Sequence, residues 1–306
     1  MELAVATDFN GSTGCPRASL KAIAEAGFTH LHWCHQWCTD FLYGKYELEQ
    51  IRAWLKEFGL TLLDIHGSQG REKCWSAADF EYRRKEGVEL VLNRARMLRE
   101  LDGEGVLMMH MPMLRTTTAE EDRPAVLQQF EALCRSIDEL APELERLRVA
   151  VAVENVPYCT FELLDRLLAM YPPHLIGITY DSGHGNIQNS GGLDFMEQRK
   201  NRLMALHLHD NDSSGDQHLP PFRGNIDWDR LTGIIASSSY TGPASFELSI
   251  HNTPFADPDC EGPQDEAHVK AFLEDCLERC SRVGRMIEEK RNDPSAEKSD
   301  LLEKTL

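Results

Sequence analysis

A chain of 306 residues, 42% hydrophobic and 27% charged, is long enough to bury a full core and too long for a disulfide-stapled mini-protein. Its 32 Lys plus Arg against 50 Asp plus Glu give a net charge of −18 with no gathered basic stripe, which disfavours a nucleic-acid partner. No run of about 18 apolar residues occurs, so no membrane partner is expected, and MELAVATDF does not read as a secretory signal, so the expected location is the cytoplasm.

Short apolar runs that are rich in β-branched residues or His alternate with stretches of 3.6-residue periodicity. In chain order the strand candidates are LAVATDF from Leu3, HLHWC from His30, LTLLDIH to His66, GVLMMHM to Met111, VAVAVENV to Val156, LIGITYD to Asp181, LMALHLHD to Asp210 and ASFELSI to Ile250. Helical stretches lie between them, among them ASLKAIAEAG and YELEQIRAWLKEFG, with Gly27 and Gly59 as stop signals. Eight strands alternating with helices predict a single-domain (β/α)8 TIM barrel over residues 1–287, with a doubly wound open sheet as the alternative. Residues 210–227, DNDSSGDQHLPPFRGNID, form a long polar loop, and residues 288–306 read as a charged C-terminal tail. Nine Cys without a Cys-x-x-Cys pair read as buried reduced thiols.

Acids and His gather near the C-terminal ends of these strands: His66, His110, Glu154, Asp181 followed by His184, His207 with His209, and Glu247. In a barrel these ends open onto one face, the one that carries active sites. Buried polar side chains are costly unless they share a partner, and a divalent cation is such a partner. Two Glu, one Asp and one His suit Mn2+, Mg2+, Co2+ or Zn2+, and further His favour Zn2+. Along the second strand His30 and His32 alternate with Leu31 and Trp33, so one His could point into the barrel and reach the site, with placement at the surface or behind the site favoured. Trp33, Trp37 and Trp75 are either aromatic walls for a sugar or packing residues.

The segments VAVENVP, YDSGHGN, LHLHDND followed by DQHLPPFRGNIDW, and SFELS resemble the strand-end motifs of the xylose isomerase-like barrel superfamily. That superfamily includes sugar and sugar-phosphate isomerases and epimerases and the endonuclease IV type of DNA-repair enzyme. The resemblance implies Glu154, Asp181, His207 and Glu247 as metal ligands, with Glu154 and Glu247 as the catalytic pair. His207 is preferred to His209 because it stands three residues before an acid, Asp210. His184 matches a position that binds substrate in the epimerases and metal in the endonucleases; His66, His110, Asp216 and His218 match the remaining endonuclease ligands.

The segment after Glu154, NVPYCT, lacks the Gly- and Gln-bearing continuation of the endonucleases. With the charge of −18, this favours a metal-dependent isomerase or epimerase acting on a small carbohydrate through an enediolate. The alternatives are an endonuclease IV-like zinc phosphodiesterase and a non-catalytic metal-binding barrel. Ser213 stands where the epimerases carry a substrate-binding Arg, and Phe222 and Arg223 occupy a usual Gly-rich turn. Arg223 is therefore a candidate for a substrate phosphate or carboxylate, or else a cap of the loop against the acid-rich surface, and Trp33 is a candidate for a sugar face. Barrels of this type are often homo-oligomers.

Overall fold

Among the described residues strand and α-helix alternate, with two short 3-10 turns, Ile187–Asn189 and Lys200–Arg202, on either side of the helix between the sixth and seventh strands. A computed structural model describes residues 1–112, 123–157 and 161–293. The strands are β1 (Leu3–Ala6), β2 (His30–Trp33), β3 (Thr61–His66), β4 (Leu107–His110), β5 (Val151–Glu154), β6 (Ile176–Asp181), β7 (Leu203–His207) and β8 (Ala244–Phe246). The helices are α1 (Arg17–Ala26), α2 (Lys45–Phe58), α3 (Glu81–Glu100), α4 (Arg123–Leu147), α5 (Phe161–Met170), α6 (Gly192–Arg199), α7 (Trp228–Ala236) and α8 (Glu266–Arg291). All strand pairs are parallel, in the order β7-β6-β5-β4-β3-β2-β1-β8. Leu208 closes the ring by bridging to Phe246: its N–H donates to the Ser245 carbonyl at 3.0 Å, and its own carbonyl accepts from Glu247 N–H at 3.2 Å. The expected barrel forms, and the open-sheet alternative falls.

The two-residue period of the strands sorts their side chains. Val5, Leu31, Ile65, Met109, Val153, Tyr180, Leu206 and Phe246 pack in the apolar core between sheet and helices. Such burial stabilises by about 1.5–3 kcal/mol per aliphatic side chain. One step further along, the chain sends Ala6, His32, His66, His110, Glu154, Asp181, His207 and Glu247 to the lumen. Two irregularities tune this pattern: the β2–β3 register shifts between Leu31 and His32, and the β6–β7 register shifts between Ile178 and Thr179. The second sets Asp181 opposite His207.

Gly27 (φ 107°) and Gly59 (φ 67°) terminate α1 and α2 in the left-handed conformation, as expected. Helix α8 begins on Asp265, whose carboxylate accepts from Ala267 N–H and His268 N–H. It continues past the expected barrel–tail boundary at 287/288. Glu288 pairs with the Met1 amine, and Lys290 Nζ lies 2.7 Å from Asp229 Oδ1, which docks this last turn on the barrel. Residues 294–306 of the expected tail lie outside the described residues. The eight described cysteines are free thiols. No described helix is long and apolar enough to cross a membrane.

Candidate metal centre

Strands β3 to β7 and the residue after β8 deliver the side chains named from the strand ends to one end of the barrel. Glu154, Asp181, His207 and Glu247 are all buried, and each offers one ligand atom within 4.8 Å of the others. His207 Nδ1 lies 2.6 Å from Glu154 Oε1 and 3.0 Å from Glu247 Oε2. A second group, His184, His209, Asp216 and His218, meets the same criterion. Asp216 Oδ2 stands 3.2 Å from His184 Nε2 and 3.0 Å from His218 Nε2, and Asp181 Oδ1 stands 2.9 Å from His209 Nε2. On the other side of Glu154, His110 Nε2 is 2.9 Å from Glu154 Oε2 and 3.2 Å from His66 Nε2. The structure thus puts His207 with the two glutamates and His209 in the neighbouring group.

Residues beside these give the motifs a scaffolding role. Asn155 clamps the Asp181 backbone, donating to its carbonyl at 2.9 Å and accepting from its N–H at 2.8 Å. Ser182 Oγ donates to the His209 carbonyl at 2.7 Å and accepts from His209 N–H at 2.9 Å. In the polar loop, Asp210 accepts from Ile226 N–H and Trp228 Nε1 and pairs its backbone with Leu219. This closes residues 210–228 into a pinned turn that carries Asp216 and His218 inward. His218 adopts φ 50°, a left-handed conformation uncommon for a non-glycine residue.

Charge is balanced tightly here. Burial opposes the charge on His207, but Glu247 and then Glu154 outweigh it and raise its pKa well above the usual value. Burial also opposes ionisation of the two glutamates, yet His207 holds both well below the usual carboxylate range, helped by His110 at Glu154 and by His218 at Glu247. His66 is pushed well below its usual value, by burial first and then by His110. Its Nδ1–H donates to the Gly67 carbonyl at 2.9 Å, which leaves Nε2 as a lone pair facing the centre. Burial lowers the pKa of His184 and His218 less than their acidic neighbours raise it: Asp181 leads at His184 (about 9), and the Asp216 hydrogen bond leads at His218 (about 10).

The donor set fits a cation on an observation independent of any family. Glu154 Oε2 and His184 Nδ1 are buried with no hydrogen-bond partner among the described residues. The ring nitrogen lies 3.6 Å from Asp181 Oδ1 and 3.9 Å from Glu154 Oε1. Buried polar atoms without partners are rare, and those at a carboxylate–imidazole cluster have the chemistry of metal donors.

The two substrate-side candidates lie elsewhere. Trp33 is fully buried outside the lumen, where Nε1 donates to Tyr43 Oη at 2.9 Å, because its strand position is the outward one. Arg223 Nη2 donates to both carboxylate oxygens of Asp275 at 3.1 Å and its guanidinium lies over Phe255, so it fastens the loop to α8. The aromatic side chain at the centre is Trp37, whose ring is 4.6 Å from that of His66 and 5.5 Å from that of His110. Trp75 is buried in the core. Asp8, two residues past β1, joins the site although no sequence motif marks it: it groups with Cys34 and Glu247, and burial followed by the Glu247 charge raises its pKa. Its position at a strand end, next to a strand of small residues, was the available signal.

The sequence model of the xylose isomerase-like TIM barrel family matches residues 20–276. The chain belongs to that family. The uncharacterized protein y4fM of Sinorhizobium fredii is 32% identical over 255 residues, covering 76% of this chain and 81% of that protein. Among solved structures, a D-tagatose 3-epimerase-like protein superposes with a TM-score of 0.71 at 18% identity, covering 95% of this chain and 99% of the other. The D-psicose 3-epimerase of Clostridium cellulolyticum H10, solved with D-tagatose, gives 0.68 at 16% identity, with 92% and 99% covered. At these identities the likeness is one of fold.

Proposed function

We propose that this xylose isomerase-like barrel is a divalent-metal-dependent isomerase or epimerase of a keto-sugar, a keto-polyol or their phosphates. The observation that carries the reading is the pair of buried glutamates, Glu154 and Glu247, converging on one nitrogen of His207 at 2.6 and 3.0 Å. A divalent cation held by Glu154, Asp181, His207 and Glu247 supplies positive charge against a developing enediolate.

The chain's own residues do the rest. Glu154 and Glu247 come from β5 and from the end of β8, separated around the barrel by β6 and β7, so they approach a bound carbon skeleton from different strands. His207 holds both below the ordinary carboxylate range, so an ionised glutamate is available to accept a proton. One takes the proton from the carbon next to the carbonyl and so becomes the carboxylic acid that can return it to the neighbouring carbon; delivery to the opposite face requires the other glutamate to enter the cycle carrying a proton. Return to the opposite face is epimerisation, and return to the neighbouring carbon is isomerisation. Trp37 offers a flat apolar surface beside His66 and His110, suited to the C–H face of a sugar. The epimerase structures that share the fold are named for such substrates, which supports the same class here.

A second reading has its own observation. His66 and His110 on one side of Glu154, and His184, Asp216 and His218 on the other, make donor groups sufficient for more than one cation, which suits phosphodiester hydrolysis. One experiment separates the two. Purified protein with Mn2+, Co2+ or Zn2+ is incubated with ketoses, keto-inositols and their phosphates, and in parallel with an abasic-site oligonucleotide. A new epimer or isomer by NMR, with about one metal equivalent bound, supports the proposal. Strand cleavage, with about three zinc equivalents and no sugar product, replaces it with the second reading.

A further inference from the structure

The bulge between β2 and β3 has an outcome inside the barrel. Leu31 faces Leu62 across the ladder, but His32 faces Asp64 instead of Leu63. The inserted residue sets His32 Nδ1 2.6 Å from Asp64 Oδ1. The other nitrogen, His32 Nε2, lies 3.0 Å from His207 Nε2, and the two rings meet edge-on with centroids 4.4 Å apart. Relative exposures of 0% for His32, 2% for Asp64 and 0% for His207 keep these atoms away from bulk solvent. A continuous row therefore runs from Asp64 through His32 and His207 to Glu154 and Glu247.

We infer that His32 and Asp64 are positioning residues that hold the ring of His207 in one orientation and one tautomer for cation binding, an inference that rests on the metal-holding reading above. The hydrogen count is fixed from end to end. A cation on Nδ1 of His207 leaves that ring's one hydrogen on Nε2, where it donates to His32 Nε2. That nitrogen then accepts, so the hydrogen of His32 is on Nδ1 and donates to the Asp64 carboxylate. Carboxylates that orient ligating histidines are a common outer layer of metal sites; here one further histidine extends the reach of the carboxylate across two strands. A pair serving only to fill space needs neither the bulge nor this order of donors.

The test measures Co2+ affinity by competition with a chromophoric chelator, with no substrate present, for the full chain and for Asp64→Asn, His32→Gln and the double variant. Each single variant is expected to weaken binding about 10- to 100-fold and to alter the visible Co2+ spectrum, and the double variant to lose little more than the weaker single one, because the residues act as one row. Single variants that bind within about twofold of the unaltered chain overturn the inference and leave the metal reading standing, even if their chelator-treated forms melt earlier. An unaltered chain that binds no Co2+ overturns both. A second readout needs no variant: NMR of the zinc-loaded chain with isotope-labelled histidine should find His207 protonated on Nε2 and His32 on Nδ1. Finding His32 protonated on Nε2 overturns the inference.

Discussion

His110 Nε2 stands 2.9 Å from Glu154 Oε2, yet that oxygen makes no hydrogen bond among the described residues. The lone pairs of Glu154 Oε2 are therefore left for a further partner. A cation placed there stabilises the folded state, because it binds the assembled site and not the unfolded chain. Chelator-treated protein is expected to gain about 2.7 kcal/mol when a divalent metal reaches 100 times its Kd, and at about 2–4 °C per kcal/mol the thermal midpoint rises by several degrees. Glu154→Gln should abolish most of that gain in a melting assay. A midpoint indifferent to metal would remove the cation from the account.

Protons and metal compete for the same donors. In chelator-treated protein His184 titrates at about 9 and His218 at about 10 against an ordinary 6.5. Raised pKa values contribute stability that is complete below pH 6.5 and is lost as pH rises through 9 and 10. Asp216 is displaced downward, against burial, by its hydrogen bonds to His184 and His218, so its contribution is present above 3.8 and is lost as pH falls through its folded value. Denaturant melts should therefore show stability declining from pH 6.5 to 10, with Asp216→Asn flattening the slope. Metal uptake by this group should release protons and strengthen across the same window.

Gly183 lets the His209 ring lie against the β6–α6 turn. A Cβ added there would run into the His209 ring, which is held by Asp181 and by stacking on His218. Gly183→Ala should cost about 1–3 kcal/mol in denaturant unfolding and weaken metal binding together with it. Unchanged metal affinity would show that His209 is not part of the donor set.

Trp33 and Trp37 differ by four positions and should behave oppositely. Trp33→Ala empties a fully buried site and is expected to cost about 3–5 kcal/mol. Trp37→Ala, at a half-buried ring beside His66, should raise KM with a small change in stability. Arg223→Ala breaks a partly exposed pair with Asp275, and should shift stability by about 1 kcal/mol or less and leave KM unchanged.

The strands were legible because His66, His110, Glu154, Asp181 and His207 interrupt apolar runs at the position where each strand ends. Closure of the barrel by Leu208 and Phe246, and the grouping of the four expected ligands, follow from the same pattern. What the pattern concealed was register. Whether His32 meets Asp64 or Leu63 depends on one inserted residue in a ladder, which no periodicity in HLHWC reveals. Direction was concealed as well: Trp33 sits one step out of phase with His32, and alternation alone does not say which of the two enters the lumen. The sequence does not choose between a substrate anion and a surface acid as partner of Arg223, because the acid it meets, Asp275, is 52 residues away on α8.

Solvent exchange tests the two-glutamate chemistry most directly. In D2O with a divalent metal, the unaltered chain should place deuterium on the carbon next to the carbonyl of its keto-sugar substrate, and Glu154→Gln and Glu247→Gln should each slow that exchange about 100-fold or more. Exchange that continues at the unaltered rate in both variants would contradict the account.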